Sequence, residues 1–349
     1  MKRDGKLFEK LTDFETLRLA AANAVKGKKG MVIDAFKSDF DNKVVEVQRM
    51  LIDGTFRTSQ YHVFKVYEPK EREIFALPFF PDRIVHHGVM LVLEPILYKV
   101  FTLNTFSCIK GRGLSKCALR VRKIIRTFAR SPKLYCLKID IRKFYPSVNH
   151  EVLKELLRKK IKDARFLALL DGIIDSADGL PIGNYTSQGL ANFYLSYLMH
   201  YVNEVLKVNA VEYADDIVFF ADNKAALHDT LIKVKDYVET RLKLELKGNY
   251  QIFPIADNRE DKNGRALDYV GFKFYRRQTL LRKRIKQNLC RRVARLRHRR
   301  RLTAEQYQRA TASWLGWCKY SNSRNLLKKL GIYGEIQRLG EQRQGQREC

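Results

Sequence analysis

The stretch VEYADDIVFF, residues 211–220, sets two adjacent aspartates into a run of β-formers. Val211, Ile217, Val218, Phe219 and Phe220 suit a pleated strand, from which aspartate is depleted. Neighbouring carboxylates repel, and burying either charge without a partner is costly. Alone, an Asp-Asp pair is most often a solvated turn. A second acidic strand changes the weighing, because in LKIDIRKFYPSVN Asp140 also ends an apolar run, 134–141. If the two strands are neighbours, Asp140, Asp215 and Asp216 converge. Converged carboxylates stay ionised together only beside a cation. Mg²⁺ suits them, being a hard ion that takes oxygen ligands and bridges carboxylates to phosphates. Two such ions can stabilise the attacking and leaving oxygens of a phosphoryl transfer.

Charge narrows the substrate. Lys and Arg number 67 against 38 Asp and Glu, a net charge of +29. Such a surface attracts polyanions, nucleic acid first and anionic membrane second. No apolar run reaches the roughly 18 residues of a spanning helix. The best, GVMLVL, is stopped by Glu94 and Pro95. MKRDGKLFEK lacks the apolar core of a signal peptide. The expectation is a cytoplasmic protein without a membrane partner. Its 349 residues, 45% hydrophobic and 11% aromatic, exclude a disordered chain and suggest two or three lobes. Cysteines 108, 117, 136, 290, 318 and 349 form no C-x-x-C pair and read as reduced thiols. His86 and His87, in an apolar helical stretch, read as structural.

Periodicity predicts helices over 7–26 and 31–53, then a hairpin in FRTSQYHVFKVYEPKEREIFALPF with EPKER as its turn. A helix follows Pro81, and a Gly-containing loop feeds a basic helix in FSCIKGRGLSKCALRVRKIIRTFAR. A strand at 134–141, a helix over 151–174 and a long helix after GLPIGNYTSQG come next. VEYADDIVFFAD reads as a hairpin with the aspartates at its tip, AALHDTLIKVKDYVETRLKLEL as an amphipathic helix, and LDYVGFKFY as a strand. From Arg276 to Arg301, 13 of 26 positions are Lys or Arg with no acid among them. Trp314 and Trp317 follow, at core-like i, i+3 spacing.

Tyr213-Ala214-Asp215-Asp216 resembles the Y-x-D-D signature of reverse transcriptases, and Asp140 matches the aspartate of their first catalytic motif. The resemblance extends from about Leu17 to Leu330. It implies an α+β right-hand polymerase with fingers, a palm built on an antiparallel sheet, and a helical thumb. The implied division is an N-terminal helical extension 1–35, fingers 36–135, palm 136–275 with a fingers excursion near 151–180, and a basic thumb 276–349. The implied activity is RNA-directed DNA synthesis from dNTPs with two Mg²⁺. Asp140, Asp215 and Asp216 would be catalytic and, with Ile141, would bind the metal. Tyr145, five residues after Asp140, matches the aromatic under the nucleotide sugar, which excludes a 2′-hydroxyl. Arg72 matches the fingers arginine that meets the triphosphate, with Lys70 as helper; a planar guanidinium can hold two phosphate oxygens.

Most bacterial members carry Q-G-x-x-x-S-P before the long palm helix. Here Ile182-Gly183-Asn184-Tyr185-Thr186-Ser187-Gln188 stands in its place, a form similar to the reverse transcriptases of diversity-generating retroelements. Ile182, Gly183, Ser187 and Gln188 would line the dNTP site. ANAVKGKKG and SWLGWCKYSNSRNLL also look like that subfamily. The resemblance implies copying of a template-repeat RNA into adenine-mutagenised cDNA, beside a small basic accessory protein, in a bacterial or phage setting. Nucleic-acid contacts fall to Tyr213, to Gly271 in the primer-grip turn, and to Arg291, Arg292, Arg295 and Arg299. For the general acid toward pyrophosphate, Lys247 and Tyr250 both stand near the expected place. The alternatives are a phage-defence reverse transcriptase and a catalytically silent RNA-binding scaffold. An intron maturase is disfavoured because the chain stops soon after the thumb. A retron enzyme is disfavoured because neither N-A-x-x-H nor V-T-G occurs.

Overall fold

The computed structural model describes residues 3–67, 71–298 and 302–336. Aspartates break the helices that periodicity reads as continuous. Helices α1 (Leu7–Thr12) and α2 (Phe14–Val25) part at Asp13, whose carboxylate accepts the Thr16 N–H at 2.9 Å. Helices α3 (Met31–Ser38) and α4 (Phe40–Ile52) part at Asp39. The Asp13 side chain satisfies an unpaired N–H of the new first turn, whereas Asp39 caps no backbone N–H and its Oδ1 accepts the Asn42 side-chain amide at 2.6 Å. The hairpin β1 (His62–Tyr67) and β2 (Glu71–Ala76) pairs Val66 with Arg72. Helices α5 (Ile84–Val100) and α6 (Leu114–Thr127) follow.

After β3 (Tyr135–Asp140) and a short α7 (Phe144–Ser147), the helix expected over 151–174 is two, α8 (His150–Arg158) and α9 (Ala164–Ile174). Asn149 and Asp163 each cap a start. Asp163 also accepts the Leu7 and Phe8 N–H groups at 2.7 and 2.9 Å, which pins α1 onto α9. Helix α10 (Tyr185–His200) is apolar on nearly every side and lies buried. Then come β4 (Asn209–Tyr213), β5 (Asp216–Ala221), α11 (Lys224–Thr240) and β6 (Gln251–Pro254).

The central sheet is antiparallel, in the order β4-β5-β3-β6. Side chains alternate across it, and both faces are covered. Leu137, Ile139, Ala210, Ile217 and Phe219 join a core with the N-terminal helices and α8–α11. Cys136, Val211, Val218 and Phe220 join a second core on the other face. Two-sided burial is why VEYADDIVFF is nearly unbroken in apolar residues.

LDYVGFKFY, read as one strand, is a hairpin: β7 (Leu267–Tyr269) turns at Val270-Gly271 into β8 (Phe272–Phe274), and β9 (Thr279–Leu281) completes a three-stranded sheet. Val270 and Gly271 have φ of +40° and +83°, the left-handed pair a tight hairpin turn needs. The division expected at 276 falls inside this sheet. Helices α12 (Lys283–Arg297), α13 (Ala304–Cys318) and α14 (Arg324–Lys329) follow, and a last helical turn over 332–336 ends the described chain. Leu289, Val293 and Leu296 turn α12 onto the second core, and Trp314 and Trp317 pack against it half-buried. Among the described residues, no helix is long and apolar enough to cross a membrane.

Candidate active site

The two acidic strands are neighbours. Strand β3 pairs with β5 so that Asp140 lies directly opposite Asp216, and Tyr213 faces Asp216 across the β4–β5 hairpin. The turn between them is Ala214-Asp215, with Ala214 at φ +54°. Asp215 thus stands at the turn and Asp216 opens the strand beside it. Burial, and then the nearby charge of Asp140, raises the Asp215 carboxyl above its ordinary range. Burial raises Asp216 as well, against the pull of Lys138.

Two ammoniums meet this charge. Lys247 Nζ lies 2.6 Å from Asp140 Oδ2, and Lys138 Nζ lies 3.1 Å from Asp216 Oδ1. Lys138 precedes Asp140 by two residues in the same strand, so the two share a face. Period-2 reading had the means to find it, and the motif search passed it by. Of Lys247 and Tyr250, Lys247 is the one that reaches a carboxylate. The Tyr269 hydroxyl donates to the Asp216 carbonyl at 2.8 Å and braces the start of β5 from the second sheet.

With the lysines so placed, no three His, Cys, Asp or Glu side chains among the described residues gather closely enough to grip a metal ion. The donor chemistry nonetheless suits Mg²⁺. Every side-chain donor is a carboxylate oxygen, and Asp140 Oδ1 is buried with no hydrogen-bond partner, an arrangement that is costly unless something binds it. An isolated bridge joins Ile141 to Leu246 through the Asp140 carbonyl and the Arg142 N–H, and does not use the Ile141 carbonyl.

Tyr145 is half-buried in α7. Burial, with Cys108 and Asp215 beside it, pushes its phenol up to about 12, and Arg72 opposes that shift. Arg72 and Asp215 therefore both lie within electrostatic reach of Tyr145. The backbone explains how. The Ile182 carbonyl accepts the Phe75 N–H of β2 at 2.8 Å, and the Tyr145 carbonyl accepts the Leu180 N–H at 2.8 Å. Gly183, at φ +130°, presses on the hairpin so closely that a Cβ would stand 2.4 Å from the Phe75 carbonyl oxygen. The loop 179–184 is thus a strap between Tyr145 and the β1–β2 hairpin. Ser187 is buried with its hydroxyl partnerless, and Gln188 is exposed; the structure does not bring Ser187 to the nucleotide-facing surface.

Sequence reasoning missed Cys108. It is exposed, has φ +50°, and lies close enough to Tyr145 and Tyr213 to act on both phenols. Gly271 is held from outside, because a Cβ there would stand 2.4 Å from Trp317 Cζ3. On α12, Arg291 and Arg295 are exposed on one face, while Arg292 is half-buried against α13, its Nε near the Ala310 carbonyl. Lys70 and Arg299 lie outside the described residues.

Comparison with known proteins agrees with this geometry. The signature of the family described as reverse transcriptase (RNA-dependent DNA polymerase) matches residues 69–249, more than half of the chain. Protein YkfC of Escherichia coli strain K12 is 25% identical over 154 residues, 40% of this chain and 40% of its own length. The group II intron-encoded protein LtrA of Lactococcus lactis subsp. cremoris is 24% identical over 188 residues, 50% of this chain and 30% of its own length. The chain thus spans well under half of either relative. In fold it is similar to apo telomerase from Candida tropicalis truncated from its C-terminal domain, with a TM-score of 0.50 at 12% identity, covering 68% of this chain and 59% of that one. The architecture is that of a right-hand polymerase, and the chain belongs to the reverse transcriptase family of RNA-dependent DNA polymerases.

Proposed function

We propose that the protein is an active RNA-directed DNA polymerase that extends a primer on an RNA template by nucleotidyl transfer. The observation that carries the reading is the register of Asp140 against Asp216 beside the Ala214-Asp215 turn, with Tyr145 and Arg72 in the same neighbourhood. Asp140, Asp215 and Asp216, with the Ile141 carbonyl, would hold two Mg²⁺. When bound, these ions supply electrostatic stabilisation of the attacking and leaving oxygens. Arg72 would hold the triphosphate, with Lys70 proposed as its helper on sequence grounds. Tyr145 fills the space a 2′-hydroxyl would need. Lys247, whose ion pair with Asp140 brings it to the carboxylates, is the candidate to give a proton to the departing pyrophosphate. Fingers, palm and thumb would follow the division 36–135, 136–275 and 276–349 in outline, with the β7–β9 sheet spanning the 276 boundary, and the basic face of α12 would track the template–primer duplex.

The test is extension of a primed RNA template with Mg²⁺ and four dNTPs, with Asp215→Asn run in parallel. Synthesis by the wild type, lost in a variant that melts normally, is the expected result. Equal synthesis by both proteins would overturn the assignment.

Ile182 in place of glutamine supports the finer reading, a diversity-generating retroelement enzyme working beside a small basic accessory protein. An aliphatic side chain cannot hydrogen-bond near the templating pair, so a mismatch forfeits less. Errors concentrated opposite template adenine, reduced by Ile182→Gln, are expected; an error spectrum unchanged by the substitution removes this reading. The intron-encoded name of a relative favours a second reading, an enzyme tied to a structured intron-type RNA. Faithful cDNA and tight binding of such an RNA would mark it. Faithful synthesis without that preference would leave the phage-defence role.

A further inference from the structure

Away from the carboxylates, helix α10 opens on a ring pair that the assignment above does not use. Tyr185, its first residue, stacks on His87 of α5 with centroids 4.0 Å apart and planes 18° apart. Tyr185 remains 50% exposed, so the stack has an open face. Burial, with Arg83 and Lys28 nearby, holds the His87 imidazole at about 4, and the ring is neutral at pH 7. The pair is therefore a flat, uncharged aromatic surface with two cations, Arg83 and Lys28, within electrostatic reach of His87. That combination fits an unpaired nucleobase and its phosphate: every base has a π-face, and the phosphate seeks the cations.

Named contacts run from this surface to the catalytic group. Tyr185 lies within electrostatic reach of Glu94 and Tyr98 on the same face of α5. The Tyr98 hydroxyl receives the Lys110 backbone N–H at 3.4 Å. Lys110 is two residues from Cys108, the neighbour of Tyr145 and Tyr213. From His87 to Tyr98 the helix rises about 16 Å, the length of several stacked nucleotides. Glu94, the single acid of α5, is half-buried, and burial raises its carboxyl above the ordinary range, which softens its repulsion of a passing strand. Behind Tyr185, the strap at Ile182 and Gly183 fixes the start of α10 to the hairpin that carries Arg72.

We propose that the His87–Tyr185 stack is a docking platform for an unpaired base of the RNA template, at the junction of the β1–β2 hairpin and α10. His87, structural on sequence grounds, then has a second role as the lower ring of the platform. The inference rests on the polymerase reading for the identity of the strand as template.

The experiment measures binding of the full chain, without dNTPs, to a primed RNA template with an unpaired 5′ overhang and to the same duplex made blunt. Tyr185→Ala is expected to weaken the overhang substrate about tenfold while changing the blunt one less than about twofold. Tyr185→Phe and Tyr185→Trp are expected to keep wild-type affinity. Equal losses on both substrates, or no loss on the overhang, overturn the platform. A second measurement needs no variant: 4-thiouridine in the overhang should photo-crosslink to a peptide containing His87 or Tyr185, and crosslinks only elsewhere overturn the proposal. Because no synthesis is needed, a wild-type protein silent in the extension assay defeats the polymerase reading alone.

Discussion

On the proposed reading, a ring at Tyr145 would leave little volume beneath the sugar of a nucleotide held between Arg72 and the carboxylates. Tyr145→Ala should therefore lower discrimination of dNTPs against rNTPs, by roughly 10- to 100-fold in the ratio of kcat/KM values; an unchanged ratio would remove the gate. Glu212 makes a second prediction. It is buried beside the Y-x-D-D turn, with Thr105 Oγ1 donating to Oε2 at 2.9 Å and Oε1 partnerless. Burial pushes its carboxyl from the ordinary 4.5 up to about 8. The folded state then holds this proton more tightly than the unfolded one. Its stabilising share is complete below about pH 4.5 and is lost as pH rises toward 8. Thermal melts across that window should fall more steeply for the wild type than for Glu212→Gln, and coincident slopes would reject the account. At this scale the sequence was informative where chemistry repeats in a pattern. Asp140, Asp215 and Asp216 stood out because charge in an apolar strand needs a reason. Lys138 was legible through strand periodicity but carried no motif. Cys108 and the His87–Tyr185 stack depend on loops and helices meeting across long separations, which no local pattern encodes.

Elements read well where their period was long and poorly where a few residues decided them. The four residues of β6 and the three of β9 give too little alternation to recognise. The splits at Asp13 and Asp163 were available from capping chemistry, since both side chains accept N–H groups of the following turn. The β7–β8 turn shows an element fixed by its neighbour. Trp317 sits over Gly271, and its ring lies 5.1 Å from that of Phe272. Gly271→Ala should cost about 1–3 kcal/mol in urea denaturation, from overpacking added to a strained φ, and Trp317→Leu should recover part of it. Full stability of the single variant would show that the contact yields freely. Gly183→Ala should act on function instead. By pushing the strap off Phe75 it is expected to raise the KM for dNTPs several-fold with little change in melting temperature, and an unaltered KM would sever the strap from nucleotide binding.

For the whole molecule, the antiparallel sheet was an implication of the family resemblance, and the near-continuous apolar run now has its cause in two cores, one on each face. What composition points to is a polyanionic partner. With a net charge of +29 and an acid-free run from Arg276 to Arg301, affinity for template–primer should fall by roughly 10³-fold or more between 50 and 200 mM salt if six or more phosphates are neutralised. Replacing Arg291 and Arg295 by glutamine should lower the logarithmic salt slope by about two, and an unchanged slope would take α12 off the duplex. A last consequence lies in Lys138 and Lys247, whose ammoniums already balance Asp216 and Asp140. The chain carries its own counter-ions, so the folded state does not lean on a divalent ion for its integrity. Chelation with EDTA should leave the melting midpoint within about 1 °C of its starting value, and a large drop would contradict the balance. On the proposed polymerase reading, scarce magnesium would then idle the protein without unmaking it, and its return would restart synthesis from an intact resting pool rather than from newly folded chains.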